Sequence, residues 1–354
     1  MKELSYPFDA YYLLNNRMII LNKLLSKENL LPKRVAILST SNTSLIKEFL
    51  EIFLLNNGIK PSFYESNNFY DDVIYENKDL ITFDPDIVYI CTSNKSILEY
   101  PSINTDNVGE MLNKEYKRFE SVWKKLDEMF KCVIIQNNFD YPLYRLYGNK
   151  DAVDIHGGIN YLSRLNQKFY GYINSHNNIY ICDINYLSSV VGLDKWFNFE
   201  EWHVYNYFVD SRSVPLLAFN VVNIIKSLYG KNKKAFAIDL DNTIWGGEIS
   251  INGISDIDIG TLSLEGHAFL DFQKYLKTLK DFGIILNINT KNNYESAVAA
   301  LKSKSNILGV DDFVIIKSNN QSKVNNLEEI ANELNIEKEN IIFVDDNELE
   351  RKPI

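Results

Sequence analysis

Eight short apolar runs constrain this chain more than any other feature. They lie at 35–39, 86–91, 132–136 and 179–183, then at 235–239, 284–289, 313–316 and 340–344. Each is hydrophobic along its whole length instead of alternating, the pattern of a strand covered on both faces. Between them lie stretches with apolar residues at helical spacing, at 11–31, 44–57, 111–130, 159–173 and 216–229, then at 264–282, 294–303 and 323–334. Strand and helix alternating in this way predict an α/β chain of doubly wound, mostly parallel sheets, each the centre of a three-layer sandwich.

A chain of 354 residues exceeds one average domain. The best boundary is Gly230-Lys231-Asn232-Lys233-Lys234, a helix stop followed by a polar, basic linker. The expected domains are therefore 1–230 and 231–354. Residues 248–260 alternate apolar and polar around Asn252-Gly253, which predicts a small hairpin flap. The net charge of -10 argues against non-specific binding to nucleic acid or an anionic membrane. Cys91, Cys132 and Cys182 lie far apart and form no CxxC pair, so buried free thiols in a reducing cytoplasm are expected. No basic segment followed by an apolar core opens the chain, and no apolar run is long enough to cross a bilayer. A cytoplasmic location follows as the expectation.

The chemistry concentrates in the second half. The run Ala235-Phe236-Ala237-Ile238 ends in Asp239 and Asp241, two carboxylates spaced i and i+2, followed by Thr243 and the pair Gly246-Gly247. In an open α/β sheet, ligands bind beyond the carboxyl ends of the strands. Two like charges so close need a cation, a proton or fixed donors to compensate them. The next strand ends in Asn289, Thr290, Lys291 and Asn292. Lys323 opens the helix after the third strand, and the fourth ends in Asp345-Asp346-Asn347. A phosphoryl-transfer site needs a nucleophile, a proton donor, hydroxyl and amide donors, a cation and a metal. Groups fit for each role fall just beyond a strand.

This series resembles the four motifs of the haloacid dehalogenase (HAD) superfamily: Asp239-x-Asp241-x-Thr243, Thr290, Lys323 and Asp345-Asp346. The resemblance implies that Asp239 attacks phosphorus, that Asp241 protonates the leaving oxygen and then activates water, and that Thr290 and Lys323 hold the phosphoryl group. It further implies Mg²⁺ held by Asp239, the Asp241 carbonyl and the pair Asp345 and Asp346, with Asp346 the direct ligand of that pair. Asp-Leu-Asp-Asn-Thr-Ile-Trp-Gly-Gly at 239–247, Thr-Lys-Asn at 290–292 and Asp345-Asp346-Asn347 with Glu350-Arg351 are similar to the FkbH-like branch. Members of that branch commonly carry Ser where this chain has Thr290. Its better-understood members dephosphorylate a glyceryl unit and load it onto an acyl-carrier protein. A small phosphorylated substrate and an acyl-carrier protein partner are thereby implied, with Thr243, Trp245, Gly246, Gly247, Lys291 and Asn292 on the substrate side. For Trp245-Gly246-Gly247, plain turn packing stands as an equal alternative.

The branch usually carries an N-terminal domain related to SGNH hydrolases, which the first half fits as a degenerate version. Ser39 and Ser41 follow its first strand, Asn137 and Asn138 a later one, and His203 comes late, preceded by Glu200 and not the usual Asp. No Gly-Asp-Ser run pins a nucleophile. An esterase or acyltransferase in this half, or a non-catalytic carrier-binding module, are the alternative readings. The sequence ends soon after the fourth motif, where relatives of the branch continue, the expectation for a truncated or a naturally short chain.

Overall fold

The computed structural model describes residues 1–252, 257–260, 263–302 and 306–352. The chain divides into two compact units, Met1–Gly230 and Lys231–Ile354.

In the first unit, β1 (Leu31–Ser39), β2 (Ile59–Ser66), β3 (Ile87–Cys91), β4 (Val133–Asn137) and β5 (Ile179–Cys182) form one sheet in the order β2-β1-β3-β4-β5. Every pairing is parallel. The apolar runs serve two cores at once, because successive side chains of a strand point to opposite faces. Val35 and Ile37 enter one cluster with helices α1 (Ala10–Leu25) and α2 (Ser44–Asn56). Ala36 and Leu38 enter a second, with α3 (Phe69–Ile74), α4 (Lys78–Phe83), α5 (Val108–Met129) and α6 (Gly158–Ile173). Each fully buried Val, Ile or Leu contributes about 1.5–3 kcal/mol. Helices α7 (Ile184–Val191), α8 (Leu193–Trp196), α9 (Phe199–Tyr205) and α10 (Val214–Leu228) complete the unit.

Strand β2 escapes the apolar-run criterion. It lies at the sheet edge, pairs only with β1, mixes polar with apolar residues and carries Pro61. An edge strand needs only one ladder and tolerates proline.

In the second unit, β6 (Ala235–Ile238), β7 (Ile285–Thr290), β8 (Ile315–Ser318) and β9 (Ile341–Val344) form a parallel sheet in the order β8-β7-β6-β9. Its helices are α11 (Ile249–Asn252), α12 (Leu264–Asp281), α13 (Tyr294–Leu301), α14 (Lys323–Leu334) and α15 (Glu348–Arg351). Phe236 and Ile238 join the cluster of α12 and α13, while Ala235 and Ala237 face α14. The chain runs from β6 outward through β7 to β8, then returns to place β9 on the other side of β6. That reversal makes the carboxyl ends of β6 and β9 the switch point where such sheets bind ligands.

Two expectations need correction. The apolar run 313–316 does not coincide with β8, because a turn of 3-10 helix at Val310–Asp312 delivers Phe313 into the core before the strand begins. The flap is not a simple hairpin either. Residues 249–252 are helical, and Ile249 is buried with Ile244 and Trp245. Among the described residues of this segment, antiparallel pairing is confined to the bridge between Gly246 and Asp258, and Gly253 of the expected turn lies outside them. Among the described residues, no helix is long and apolar enough to cross a membrane.

Asp312 ties this unit together electrostatically. Its Oδ1 accepts from Lys277 at 2.5 Å and Lys280 at 2.6 Å, both on α12, and its Oδ2 accepts from the Gly309 N–H at 2.9 Å. Burial alone would push the carboxyl up, but these donors outweigh it and hold it at about 2. A depressed folded pKa stabilises above the unfolded value and loses that stabilisation as pH falls through the folded one. Asp312→Asn is therefore expected to cost about 1–3 kcal/mol at about pH 7 in chemical denaturation, a difference that disappears toward about pH 2.

Candidate active site

Beyond the carboxyl ends of β6, β7 and β9 lies a polar cavity of about 360 Å³. Asp239, Asp241, Thr290, Lys291, Asn292, Lys323, Asp345 and Asp346 all line it, although they are scattered over more than a hundred positions of sequence.

Asp239 continues the β6 ladder, its N–H donating to the Val344 carbonyl at 2.9 Å. This pairing sets the ends of β6 and β9 side by side, and so brings Asp239 next to Asp345. Carboxylate oxygens of Asp239, Asp345 and Asp346 lie within 4.8 Å of one another. Asp239 and Asp345 are buried, whereas Asp346 is exposed. An all-carboxylate oxygen donor set of this kind suits a hard divalent cation.

Lys323 compensates two of these acids. Its Nζ donates to Asp345 Oδ2 at 2.5 Å and lies 3.0 Å from Asp239 Oδ1. Only 4% of the residue is exposed. Burial works against its charge, but Asp239 and Asp345 outweigh that cost and raise its pKa above the usual lysine range. Burial pushes the Asp239 carboxyl up, Lys323 pulls it down, and neighbouring Asp345 adds to the rise. The net direction for Asp239 is upward, as expected where two acids crowd one base.

The backbone of Lys323 is held by residues that carry no charge. Asn289 on β7 donates through Nδ2 to the Lys323 carbonyl at 2.8 Å. Asn326, one turn along α14, donates to Asn289 Oδ1 at 3.0 Å. Both are fully buried. Asn326 was not visible as a site residue from the sequence; its only signal was a polar residue three positions after Lys323, on the inward face of α14.

Asp241 is held at both oxygens. The Trp245 indole N–H donates to Oδ1 at 3.0 Å, and Asn292 Nδ2 donates to Oδ2 at 2.9 Å. The Thr290 hydroxyl oxygen accepts from the Asn292 N–H at 3.4 Å. At the rim, Lys291 pairs with Glu350.

The remaining substrate-side candidates do not line the cavity. Thr243 turns its hydroxyl oxygen to the Asp346 N–H at 3.2 Å. Trp245 is fully buried. Gly246 bridges Asp258, and an added Cβ there would press to 3.1 Å from the Asp258 and Phe269 side chains. Gly247 sits at φ +87° and donates its N–H to Asn242 Oδ1 at 2.8 Å. These four residues shape the loop that carries Asp241. The cavity wall on that side is formed by Asn242, Glu248 and Ser250.

At the corresponding strand ends of the first unit, the candidate side chains Ser39, Asn137 and Asn138 are engaged in hydrogen bonds. Ser39 is buried, donating to the Cys91 carbonyl at 2.7 Å and accepting from the Ser41 N–H at 3.0 Å. Asn137 donates to the Thr92 carbonyl, and Asn138 to Tyr170 and Asp183. His203 is exposed on α9, stacked on Phe199. Cys91, Cys132 and Cys182 are free and buried, and burial pushes the first two thiols up to about 12 and the third further. A larger cavity of about 610 Å³ in this unit, lined by Thr40, Phe69, Leu98 and, on α5, Lys114, Lys117, Arg118 and Ser121, holds no comparable cluster of acids.

No model of a known protein family matches the sequence, and no curated protein matches it significantly. Among solved structures, the chain is similar to the N-terminal part of the protein BF1531 from Bacteroides fragilis, which contains a phosphatase domain and is complexed with Mg. The TM-score is 0.85 at 24% identity, over 95% of this chain and 90% of that one. The two share a fold. An acetyl xylan esterase, AlAXEase, matches over 54% of this chain and 99% of its own with a TM-score of 0.37 and 15% identity, too distant to inform the fold or the site.

Lys323→Met would strand two buried carboxylates without their counter-ion, at an expected cost of about 3–5 kcal/mol in chemical denaturation. Adding Asp239→Asn removes one of the stranded charges. The double variant should therefore lose less than the sum of the two single variants, whereas additive losses would show the charges to be uncoupled.

Proposed function

We propose that this protein is a Mg²⁺-dependent phosphatase of the HAD type, acting through an aspartyl-phosphate on a small phosphorylated metabolite. The observation that carries this reading is the meeting of Asp239, Asp345 and Asp346 around the Lys323 ammonium at a sheet switch point, with Asp241 and Thr290 on the same cavity. The likeness in fold to a phosphatase-containing protein complexed with Mg supports it.

Electrostatics supports the metal requirement independently. The cavity is lined by six carboxylates (Asp239, Asp241, Glu248, Asp345, Asp346 and Glu350) against the ammonium groups of Lys291 and Lys323. A phosphate anion entering such a lining is repelled unless a cation offsets the excess. Asp239, Asp345 and Asp346, with the Asp241 carbonyl, would hold Mg²⁺, which when bound neutralises charge on the phosphoryl oxygens and the acids around them.

The chain's own groups account for the bond changes. An oxygen of Asp239 attacks phosphorus, forming the acyl-phosphate bond as the bond to the leaving oxygen breaks. Asp241 gives that oxygen its proton. Lys323 and the Thr290 hydroxyl hold the equatorial oxygens as charge shifts onto them. Water then attacks phosphorus, Asp241 takes its proton, and the Asp239 carboxylate is released with inorganic phosphate. The FkbH-like resemblance extends the proposal to a glyceryl-type phosphate as substrate, an acyl-carrier protein as partner and a degenerate SGNH-like role for the first unit, and the three buried free thiols support a reducing, cytoplasmic location.

Phosphate release from a panel of small phosphate esters should require Mg²⁺ and stop on chelation. Asp239→Asn should lower it by about a thousandfold or more. Undiminished release in that variant would remove Asp239 as the nucleophile.

A further inference from the structure

We propose that Trp245 and Asn292 are the positioning residues of Asp241, clamping its carboxyl group from both sides so that one rotamer serves both proton transfers. The inference rests on the phosphatase reading above and adds to it the device that orients the acid/base. Trp245 and Asn292 come from different strand ends, yet each donates to a different oxygen of the same carboxyl group, at 3.0 Å and 2.9 Å. The Ile249 N–H adds a longer contact to Oδ1 at 3.4 Å. Oδ1 thus meets two donors, whereas Oδ2 meets Asn292 alone and keeps its second lone-pair direction for the travelling proton.

The clamp is itself fixed. Trp245 is fully buried among Ile244, Leu240 and Ile249, a site a tryptophan occupies well only when its N–H has a partner. The partner here is Asp241. Behind the loop, buried Gln273 on α12 donates to the Ile244 carbonyl at 2.9 Å and accepts from the Ile307 and Leu308 N–H groups. On the other side, Asn292 donates through Nδ2 to the Thr290 hydroxyl at 3.3 Å as well as to Asp241, so the acid/base and the phosphate-holding hydroxyl share one amide. Trp245 does not line the cavity, and its one polar group meets the site at Asp241.

The test compares Trp245→Phe and Asn292→Ala with the unsubstituted protein on an alkyl phosphate and on 4-nitrophenyl phosphate, by steady-state and rapid-mixing kinetics. An alkoxide needs a proton to leave, whereas 4-nitrophenolate leaves without one. A misplaced Asp241 should lower kcat for the alkyl ester by about tenfold or more with KM within about twofold. With 4-nitrophenyl phosphate, Asp239 should still be phosphorylated but slowly freed, giving a burst of about one equivalent of nitrophenol. Loss of both activities together without a burst, or unchanged kinetics in both variants, overturns the clamp. If Trp245→Phe does not fold, Asn292→Ala alone decides by the same burst. A failure of the phosphatase reading is distinguishable, because then the unsubstituted protein releases no phosphate or Asp239→Asn releases it equally well.

Discussion

One buried ammonium group organises the second unit. Lys323 sits between Asp239 and Asp345, and neither acid could be buried beside the other without it. The strand order delivers the two acids as neighbours, since β6 and β9 are adjacent although about a hundred residues separate them in sequence. The helix carrying Lys323 starts at the other side of the same opening, pinned by the buried pair Asn289 and Asn326. Among the described residues, the third acid, Asp346, has no such counter-ion. Its backbone is held by Thr243 and Arg351, and its carboxylate stays exposed at the cavity. Two acids compensated by a fixed base and a third left over is a charge arrangement suited to a divalent cation and a phosphate arriving together.

The two units contrast in what their strand ends do. Both sheets place Ser, Thr, Asn and Asp beyond their carboxyl edges. In the first unit Ser39, Asn137 and Asn138 are spent on neighbouring groups: Ser39 on the Cys91 carbonyl, Asn137 on the Thr92 carbonyl, Asn138 on Asp183. In the second unit Asp239, Asp346 and the Thr290 hydroxyl face a cavity. Cavity size alone would have pointed to the first unit, where the space is larger. The density of charge points to the second.

How much was legible in the sequence depended on how local the signal was. The central strands were visible because a strand buried on both faces must be apolar throughout. Strand β2 was hidden because an edge strand with Pro61 need not be. The acids of the cavity could be found because each directly follows an apolar run. Asn326 could not, because its importance lies in a hydrogen bond to Asn289 on another element. Trp245 shows the same limit: beside two glycines it suited a substrate mouth as well as a packed turn, and only its burial against Asp241 separates the two.

The sequence by itself determined the elements, their alternation, and which carboxylates, hydroxyls and amines stand at strand ends, since hydrophobic periodicity and strand-end polarity are properties of neighbouring residues. Tertiary structure decided which of those ends meet. Sheet order put Asp239 beside Asp345 and opened the crevice at their switch point. Side-chain packing then turned Trp245 inward, so that a residue equally suited to a substrate mouth or a packed turn donates its indole N–H to Asp241 instead of lining the cavity. Such outcomes depend on pairings between distant segments, and no single segment encodes them.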